Sequence, residues 1–211
     1  MNGKRLDTIR RYTANDRTFH WIVAILFFAA GLSGLALFHP LLFGLSGLFG
    51  GGHWTRVLHP FFGVAMFLFF LFLVFRFAGR NRIKARDRKW LGQWRDVINN
   101  REENLPPVGK YNGGQKLLFW VLVACMLVLL LTGIVIWREY FSAFFGIGLI
   151  RISSLLHAFF AFVLVTAIIV HIYAGIWVKG SVGAMVTGRV SHAWARKHHG
   201  LWYKEVRKDH R

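Results

Sequence analysis

The last long apolar stretch of this 211-residue sequence reads ISSLLHAFFAFVLVTAIIVHIYAGIWV, from Ile152 to Val178. It contains no Asp, Glu, Lys or Arg, and it exceeds the ~20 residues that an α-helix needs to cross the hydrocarbon core of a bilayer. His157 and His171 lie fourteen residues apart within it. A helix turns about 100° and rises about 1.5 Å per residue, so both side chains project from nearly the same face. The stretch therefore predicts a membrane-spanning helix with two histidines at different depths.

Three further stretches have the length and composition of membrane spans. They run from about Trp21 to Phe38, from Val57 to Phe75 and from Leu117 to Trp137, and none contains Asp, Glu, Lys or Arg. Charged residues make up 17% of the chain, whereas soluble domains have about 25%. We therefore expect an all-α protein, an integral membrane four-helix bundle that forms a single domain over residues 1–211.

The basic residues are distributed unevenly. Of the 27 Lys and Arg, 24 lie before His20, between Arg76 and Lys116, or from Lys179 onward. Because Lys and Arg accumulate in cytoplasmic loops, we expect both termini and the middle connection on the cytoplasmic side of the membrane. The net charge of +18 does not indicate nucleic acid as a partner, because the basic residues form blocks between apolar runs that meet lipid.

Four histidines lie within or at the ends of the spans, where ionisable groups are costly and mark functional sites. With this orientation two of them share the outer depth of the membrane and two share the inner depth. Pairs of histidines from different helices, separated by apolar surface, are what bis-histidine haems require. Two b-type haems are therefore the predicted cofactors, with iron bound by His59 and His157 at the outer site and by His20 and His171 at the inner site.

Other residues bear on this hypothesis. Cys125 is the only cysteine, so covalent attachment of a c-type haem is excluded, and we expect it to be a small core residue. A metal transporter or a proton relay would also use membrane histidines, but no span offers a carboxylate to accompany the cation. Four glycines suit the predicted haem slots, although close helix packing also favours glycine; they are Gly31, Gly34, Gly63 and Gly175.

The connections and the tail carry the remaining features. An amphipathic stretch from Trp90 to Ile98 predicts an interfacial helix in the middle connection. The outer loop contains two histidines to which we assign no special role. The basic tail contains four more, for which a solvated or partner-facing position is expected. These six are His39, His53, His192, His198, His199 and His210.

Six stretches form a recognisable set of motifs: RTFHW (17–21), RVLHPFFG (56–63), GKYNGGQK (109–116), TGIVIWR (132–138), HIYAGIWVKG (171–180) and AWARKHH (193–199). With Trp202 and Tyr203 they resemble the gamma subunit, cytochrome b556, of bacterial membrane-bound formate dehydrogenase, over nearly the whole chain. The tail motif and the WVKGS sequence that ends the fourth span are the most specific.

The resemblance implies a function that agrees with the histidine spacing. In that family the outer haem is bound by the histidines that match His59 and His157, and the inner haem by those that match His20 and His171. Electrons from a molybdenum or tungsten catalytic alpha subunit pass through an iron–sulfur beta subunit to the outer haem, cross to the inner haem and reduce quinone near the cytoplasmic face. This chain would be the respiratory-chain electron-transfer and quinone-reducing subunit, and formate would be oxidised on a partner.

The resemblance also implies a quinone site on the loop that matches Asn112, Gly114 and Gln115, with His171 nearby. The two amides can hydrogen-bond a quinone carbonyl, and glycine lets a ring approach the backbone. An ordinary turn before a helix would use the same residues.

Three basic residues lie close enough in sequence to the histidines to pair with haem propionates or to snorkel to the interface; they are Arg17, Arg56 and Lys179.

Composition and spacing leave other catalytic partners open. The nearest alternative is the cytochrome b subunit of a nickel–iron hydrogenase or a related anaerobic reductase, and a stand-alone cytochrome is another. Only the family-specific tail favours formate dehydrogenase. The sequence also leaves open the haem potentials, the quinone species, the metal of the partner and a higher oligomer of the complex.

Overall fold

The computed structural model of the chain describes residues 8–99 and 101–208, without the side chain of Glu102. Helices dominate these residues, and short 3-10 helices occupy four of the connections: Pro40–Phe49, Ala78–Asn81, Glu102–Asn104 and Ser142–Phe144. The other elements are, in chain order, β1 (Thr8–Arg10), α1 (Ala14–Phe38), α2 (Gly52–Phe77), α3 (Ala85–Gly92), α4 (Trp94–Ile98), α5 (Gly113–Ile136), α6 (Ile147–Trp177), α7 (Ser181–Thr187), β2 (Arg189–Ser191), α8 (His192–His198) and α9 (Gly200–Lys208).

Four described helices are long and apolar enough to cross a membrane: α1, α2 with the 3-10 turn that follows it, α5 and α6. Each begins before the predicted apolar stretch. At α1 the reason is a capping box, in which the Thr13 N–H donates to Asp16 Oδ2 at 2.9 Å and the Asp16 N–H donates to Thr13 Oγ1 at 3.1 Å. Such caps satisfy the first N–H groups of a helix, so the helix starts in a polar segment ahead of the apolar run.

The long helices expose large apolar side chains on most of their surface. Ile25, Phe75 and Leu155 are 68%, 78% and 73% exposed. Soluble proteins rarely expose contiguous apolar surface of this extent, whereas lipid covers it favourably.

The chain divides into two compact units. The first, here called the span unit, contains residues 18–75 and 121–170. Its packing includes a stacked pair of rings from α1 and α2, Phe19 and Phe72, with centroids 3.9 Å apart. Cys125 is buried in this unit without a disulfide partner, which confirms the prediction that it is a core residue.

The second, here called the terminal unit, contains the described residues of 1–17, 76–120 and 171–211. The sequence predicted no strands, but β1 pairs antiparallel with β2, so that Ile9 lies opposite Val190. Strands of three residues are too short to show a period, which is why they escaped prediction. Gly188 turns the chain into β2 with φ +79°, and its carbonyl accepts the N–H groups of Arg11 and Tyr12 at 2.8 and 3.2 Å.

The middle connection folds as two short helices, α3 and α4, rather than as one amphipathic helix over residues 90–98. A buried ion pair joins α3 to the start of α5, with Lys116 Nζ 2.7 Å from Asp87 Oδ2. Burial raises the pKa of Asp87, but the hydrogen bonds from the Lys116 side chain and the Lys84 backbone, with the nearby positive charges, together outweigh burial and hold the pKa below its usual value. The carboxylate therefore stays charged and anchors the connection.

Candidate functional site

Two of the predicted histidines face each other in the span unit. His59 is on α2 and His157 is on α6. Their ring centroids are 6.3 Å apart, and the ring planes cross at 75°. At this separation the two rings do not hydrogen-bond each other directly, and a gap remains between them. This arrangement is called the His59–His157 pair below.

A serine on α1 orients the first ring. Ser33 Oγ lies 2.7 Å from the Ala29 carbonyl oxygen and 3.0 Å from His59 Nδ1. A hydroxyl has one hydrogen and a carbonyl oxygen can only accept, so the hydroxyl donates to Ala29 and accepts the Nδ1–H of His59. Ser33 is completely buried.

A threonine on α5 orients the second ring in the same way. Thr132 Oγ1 lies 2.7 Å from the Val128 carbonyl oxygen and 2.9 Å from His157 Nδ1. The same argument assigns the Nδ1–H tautomer to His157. α5 thus contributes to the site although it contains no histidine, and sequence reasoning missed this contribution.

A glycine follows each hydroxyl residue and lies against the same ring. A Cβ on Gly34 would be 3.1 Å from His59 Cε1, and a Cβ on Gly133 would be 3.4 Å from His157 Cε1. The two halves therefore repeat one unit, a hydroxyl residue and a glycine on one helix and a histidine on the next. Gly34 was predicted for this site from the sequence, and Gly133 was not.

The tautomers determine what the pair can do. With Nδ1 protonated, Nε2 of each ring carries the lone pair and is the nitrogen available to a metal. Among the described residues, no hydrogen bond to Nε2 of either histidine is present. Both rings are therefore prepared as neutral ligands, which is how histidine binds metals.

Comparison with known proteins identifies the family. Residues 11–188 match the prokaryotic cytochrome b561 family. The chain belongs to this family. It is therefore a multi-pass membrane cytochrome b, and the members of this family bind haem b and transport electrons. Membership of a cytochrome b family argues against the alternative that the chain is a metal transporter or a proton relay.

Individual relatives of this cytochrome b agree with the resemblance predicted from its motifs. It is 44% identical over 193 residues to the nitrate-inducible formate dehydrogenase cytochrome b556(Fdn) subunit of Escherichia coli K12, covering 92% of this chain and 89% of that one. It is 45% identical over 205 residues to the cytochrome b556(fdo) subunit of the same organism, covering 97% and 96%. The Haemophilus influenzae cytochrome b556 subunit is 42% identical over 197 residues, covering 93% and 83%. The resemblance is confirmed.

The His59–His157 pair fits the haem that this family implies. A metal–imidazole nitrogen bond is about 2 Å long and the ring centre lies about 1 Å further back, so two axial imidazoles need centres about 6 Å apart. The observed separation is 6.3 Å. In the described part of the chain, a Cβ on Gly31 or Gly63 would meet no atom within 4 Å, so both glycines lie beside open space. Haem b needs no covalent attachment, in keeping with a chain whose single cysteine is buried.

The other predicted ligands of the cytochrome lie in different units. His20, on α1, belongs to the span unit, and its ring lies edge-on to Trp21 with centroids 5.3 Å apart. His171, on α6, belongs to the terminal unit. Their pairing stays a prediction. One turn after His171, a Cβ on Gly175 would lie 3.9 Å from Val182 Cγ2, an ordinary packing distance.

Three of the predicted quinone residues, Asn112, Gly114 and Gln115, lie at the N-terminus of α5. Asn112 Oδ1 accepts the N–H of Gln115 at 2.8 Å, and Gln115 Oε1 accepts the N–H of Asn112 at 3.0 Å. The carbonyl oxygens are thus used, and the side-chain NH₂ groups are the donors that a ligand could meet. Trp90 covers one face of the adjacent glycines, since a Cβ on Gly114 would lie 3.0 Å from its ring.

The three basic residues predicted near haem propionates differ in their surroundings. Arg17 is half-buried, and its Nη1 donates to the Val186 carbonyl oxygen within the terminal unit. Arg56 and Lys179 are exposed. The backbone carbonyl of Lys179 accepts the indole N–H of Trp194 at 2.8 Å.

One tail histidine contradicts its prediction. His199 was expected to be solvated or to face a partner, yet only 3% of it is exposed. Its Nδ1 donates to the Gly109 carbonyl oxygen at 2.8 Å, and its Nε2 accepts from Arg11 Nη2 at 3.1 Å. Burial, aided by the Arg11 charge, lowers the pKa of His199 to about 3. The prediction for His210 lies outside the described residues.

Proposed function

We propose that this cytochrome b is the membrane-anchoring, di-haem subunit of a respiratory formate dehydrogenase, which delivers electrons to quinone at the cytoplasmic side. The observation that carries the proposal is the His59–His157 pair, in which two imidazoles held at Nδ1 by hydroxyls have ring centroids 6.3 Å apart, the spacing expected of two axial ligands. The names of the relatives, all formate dehydrogenase cytochrome b556 subunits, give the choice of complex.

The residues of the chain position and insulate the cofactors. His59 and His157 bind the outer haem iron, and His20 and His171 bind the inner one. Bound haem supplies the one-electron carrier that amino-acid side chains lack. The apolar spans exclude water from the haem sites. Gly31, Gly34, Gly63 and Gly175 give the macrocycles room to approach the helices.

The charge distribution supports the orientation in a bacterial inner membrane. The segments that carry 24 of the 27 Lys and Arg would face the cytoplasm. Pairing of β1 with β2 supports both termini lying on one side, because these strands flank the first and the last span. Electrons that enter at the outer site and leave at the inner site carry charge across the membrane, worth about 2.3 kcal/mol per charge at 100 mV.

The quinone would bind beside the inner haem, near Asn112, Gly114, Gln115 and His171. In the cap the two carbonyl oxygens are already used, so the NH₂ groups of Asn112 and Gln115 can donate to a quinone carbonyl without breaking the cap.

The three basic residues Arg17, Arg56 and Lys179 would pair with haem propionates. Arg56 and Lys179 are exposed, so their side chains can rotate toward a propionate.

The partners would be an iron–sulfur beta subunit and a catalytic alpha subunit with molybdenum or tungsten, embedded with this chain in membrane lipid. Purification of the tagged chain from its native membrane tests this assignment. Molybdenum or tungsten in the preparation is the expected result. Co-purified nickel would instead indicate a hydrogenase as the partner, and an active single-subunit preparation would indicate a stand-alone cytochrome. The size of the purified complex would reveal a higher oligomer.

A dithionite-reduced minus oxidised spectrum with haem quantitation tests the cofactor assignment. We expect two b-type haems per chain. His59→Ala should remove one haem and His20→Ala should remove the other, while His39→Ala, in the outer loop, should keep both. Loss of the same haem from both variants would refute the predicted pairing, and absence of haem from the unaltered chain would refute the function.

A further inference from the structure

Ser33 and Thr132 form the same contact twice in the span unit. Each hydroxyl donates to the carbonyl four residues earlier and accepts from Nδ1 of a histidine on the next helix, at 3.0 Å and 2.9 Å respectively. The hydroxyl residue precedes its histidine by 26 positions in one half and by 25 in the other. One such contact is ordinary, since Ser and Thr often bond backward along a helix. Two equivalent contacts, one on each ring of the His59–His157 pair, indicate that the two hydroxyls have the same role at this site.

We infer that Ser33 and Thr132 are positioning residues of the His59–His157 haem site, which set the electron density and the rotation of both axial imidazoles and thereby lower the reduction potential of that haem. The inference rests on the proposed function only in that it needs a haem between these two histidines. It concerns residues on α1 and α5 that do not themselves bind iron.

The effect on potential follows from the direction of the hydrogen bond. An Nδ1–H that donates to oxygen makes the opposite nitrogen more basic, and a more basic ligand stabilises ferric over ferrous iron. The hydroxyl oxygens of Ser33 and Thr132 become stronger hydrogen-bond acceptors, because each hydroxyl donates its own hydrogen to a backbone carbonyl at 2.7 Å. Since Ser33 is fully buried and Thr132 is 7% exposed, water cannot easily replace either acceptor.

The effect on rotation follows from the ring planes. Each ring is held on one edge by a hydroxyl and on its Cε1 side by a glycine, Gly34 or Gly133. The planes cross at 75°. Nearly perpendicular axial imidazoles leave two iron d orbitals close in energy, which gives low-spin ferric haem a strongly anisotropic EPR spectrum. Removal of a hydroxyl frees its ring to rotate, and the spectrum should then change.

Ser33→Ala and Thr132→Val in the full-length, haem-loaded chain test the inference by optical redox titration and ferric EPR. We expect each variant to raise the midpoint potential of one haem and leave the other unchanged, with a larger shift in the double variant. A tenfold rise in the reduced-to-oxidised ratio at fixed potential corresponds to about 59 mV for this one-electron couple. The EPR signal of the same haem should change, and Ser33→Thr and Thr132→Ser should restore both readouts.

Matched controls lie on α6. Thr166 and Ser154 make the same bond to the carbonyl four residues earlier, at 2.9 Å each, and within the described residues neither hydroxyl hydrogen-bonds a histidine. Thr166→Val and Ser154→Ala should leave both potentials and both EPR signals unchanged.

Two outcomes separate the inference from the proposed function. If Ser33→Ala and Thr132→Val keep both haems with unaltered potentials and EPR signals, the inference is wrong and the haem assignment stands. If His59→Ala keeps both haems, the haem assignment itself is wrong. If the Ala or Val variant loses one haem that Ser33→Thr or Thr132→Ser retains, the hydroxyl is needed to hold the ligand and the inference stands. Loss of that haem from the conservative variants as well would overturn it.

Discussion

Two environments in this molecule bury histidine, and they use its two nitrogens differently. In the His59–His157 pair a hydroxyl binds Nδ1 of each ring, and no hydrogen bond to Nε2 is present among the described residues. At His199 the protein binds both nitrogens, Nδ1 through Gly109 and Nε2 through Arg11. In the first arrangement Nε2 is available to bind a metal, whereas in the second both ring nitrogens already have hydrogen-bond partners in the protein. Burial alone therefore does not distinguish a metal ligand from a structural histidine, whereas the state of the second nitrogen does.

The largest expected difference between the two environments is in haem content. His157→Ala should lose the same haem as His59→Ala, reducing two haems per chain to one, because an iron with one axial ligand missing is held weakly. His199→Ala should retain both. Haem quantitation by difference spectroscopy measures this directly. Loss of haem from His199→Ala in a folded chain would break the comparison.

Arg11 should matter next, through stability rather than haem content. Its guanidinium lies 5.0 Å from the ring centroids of both Trp194 and Trp202, and it donates to the Lys110 carbonyl at 2.9 Å. Arg11→Met removes these contacts and leaves buried acceptors unsatisfied, which should cost about 3 kcal/mol of unfolding free energy. Denaturation of the purified chain measures the loss.

The exposed neighbour Arg10 is the matched control for this substitution. Arg10→Met should change stability by less than about 0.5 kcal/mol. Equal losses of unfolding free energy in the two variants would mean that the contacts of Arg11 with Trp194, Trp202 and the Lys110 carbonyl contribute nothing specific.

The pH dependence of stability sharpens the role of His199. Its pKa is lowered from 6.5 to about 3 in the folded state, so the unfolded chain binds more protons between these values. Stability is therefore complete above pH 6.5 and falls as the pH decreases toward 3. At pH 5 the loss from this residue should be about 2 kcal/mol relative to pH 7.5. His199→Gln should remove this contribution, as thermal unfolding at the two pH values would show; an unchanged pH dependence would refute it.

The smallest expected effect is at the glycines of the His59–His157 pair. Gly34→Ala places a Cβ 3.1 Å from His59, and Gly133→Ala places one 3.4 Å from His157. The tighter contact should displace its ring more, at a cost of about 1 kcal/mol, and should perturb the ferric EPR signal more. Gly148→Ala on α6, where a Cβ meets no described atom within 4 Å, is the control. A larger effect at Gly133 would reverse the expected order.

The sequence predicted the four apolar helices, and it predicted His59 and His157 as neighbours, from properties that can be read along the chain. Apolar length, charge distribution and the fourteen-residue spacing on α6 need no knowledge of packing. Ser33 and Thr132 were beyond that reasoning, since Ser and Thr are ordinary in membrane helices and their partners depend on how helices face one another. The available signal was the Ser-Gly and Thr-Gly repeat at nearly equal distances before His59 and His157.

His199 was misjudged for a similar reason. Its neighbours in sequence are basic and polar, which predicts exposure, but its partners Arg11 and Gly109 are 188 and 90 residues away. Contacts between such distant segments leave no periodic pattern in a single sequence. The paired strands β1 and β2 were not predicted because three residues are too few to show a period.

The pairing of β1 with β2 also constrains biosynthesis. Ile9 is made before the first span, and its partner Val190 is made after the last. The ribosome therefore delivers every span to the membrane before the cluster around Ile9, Ala184 and Trp202 can close. During translation the early strand has no partner, and closing so long a loop is slow. Closure of this cluster thus requires that all four spans and the residues up to Trp202 have been synthesised.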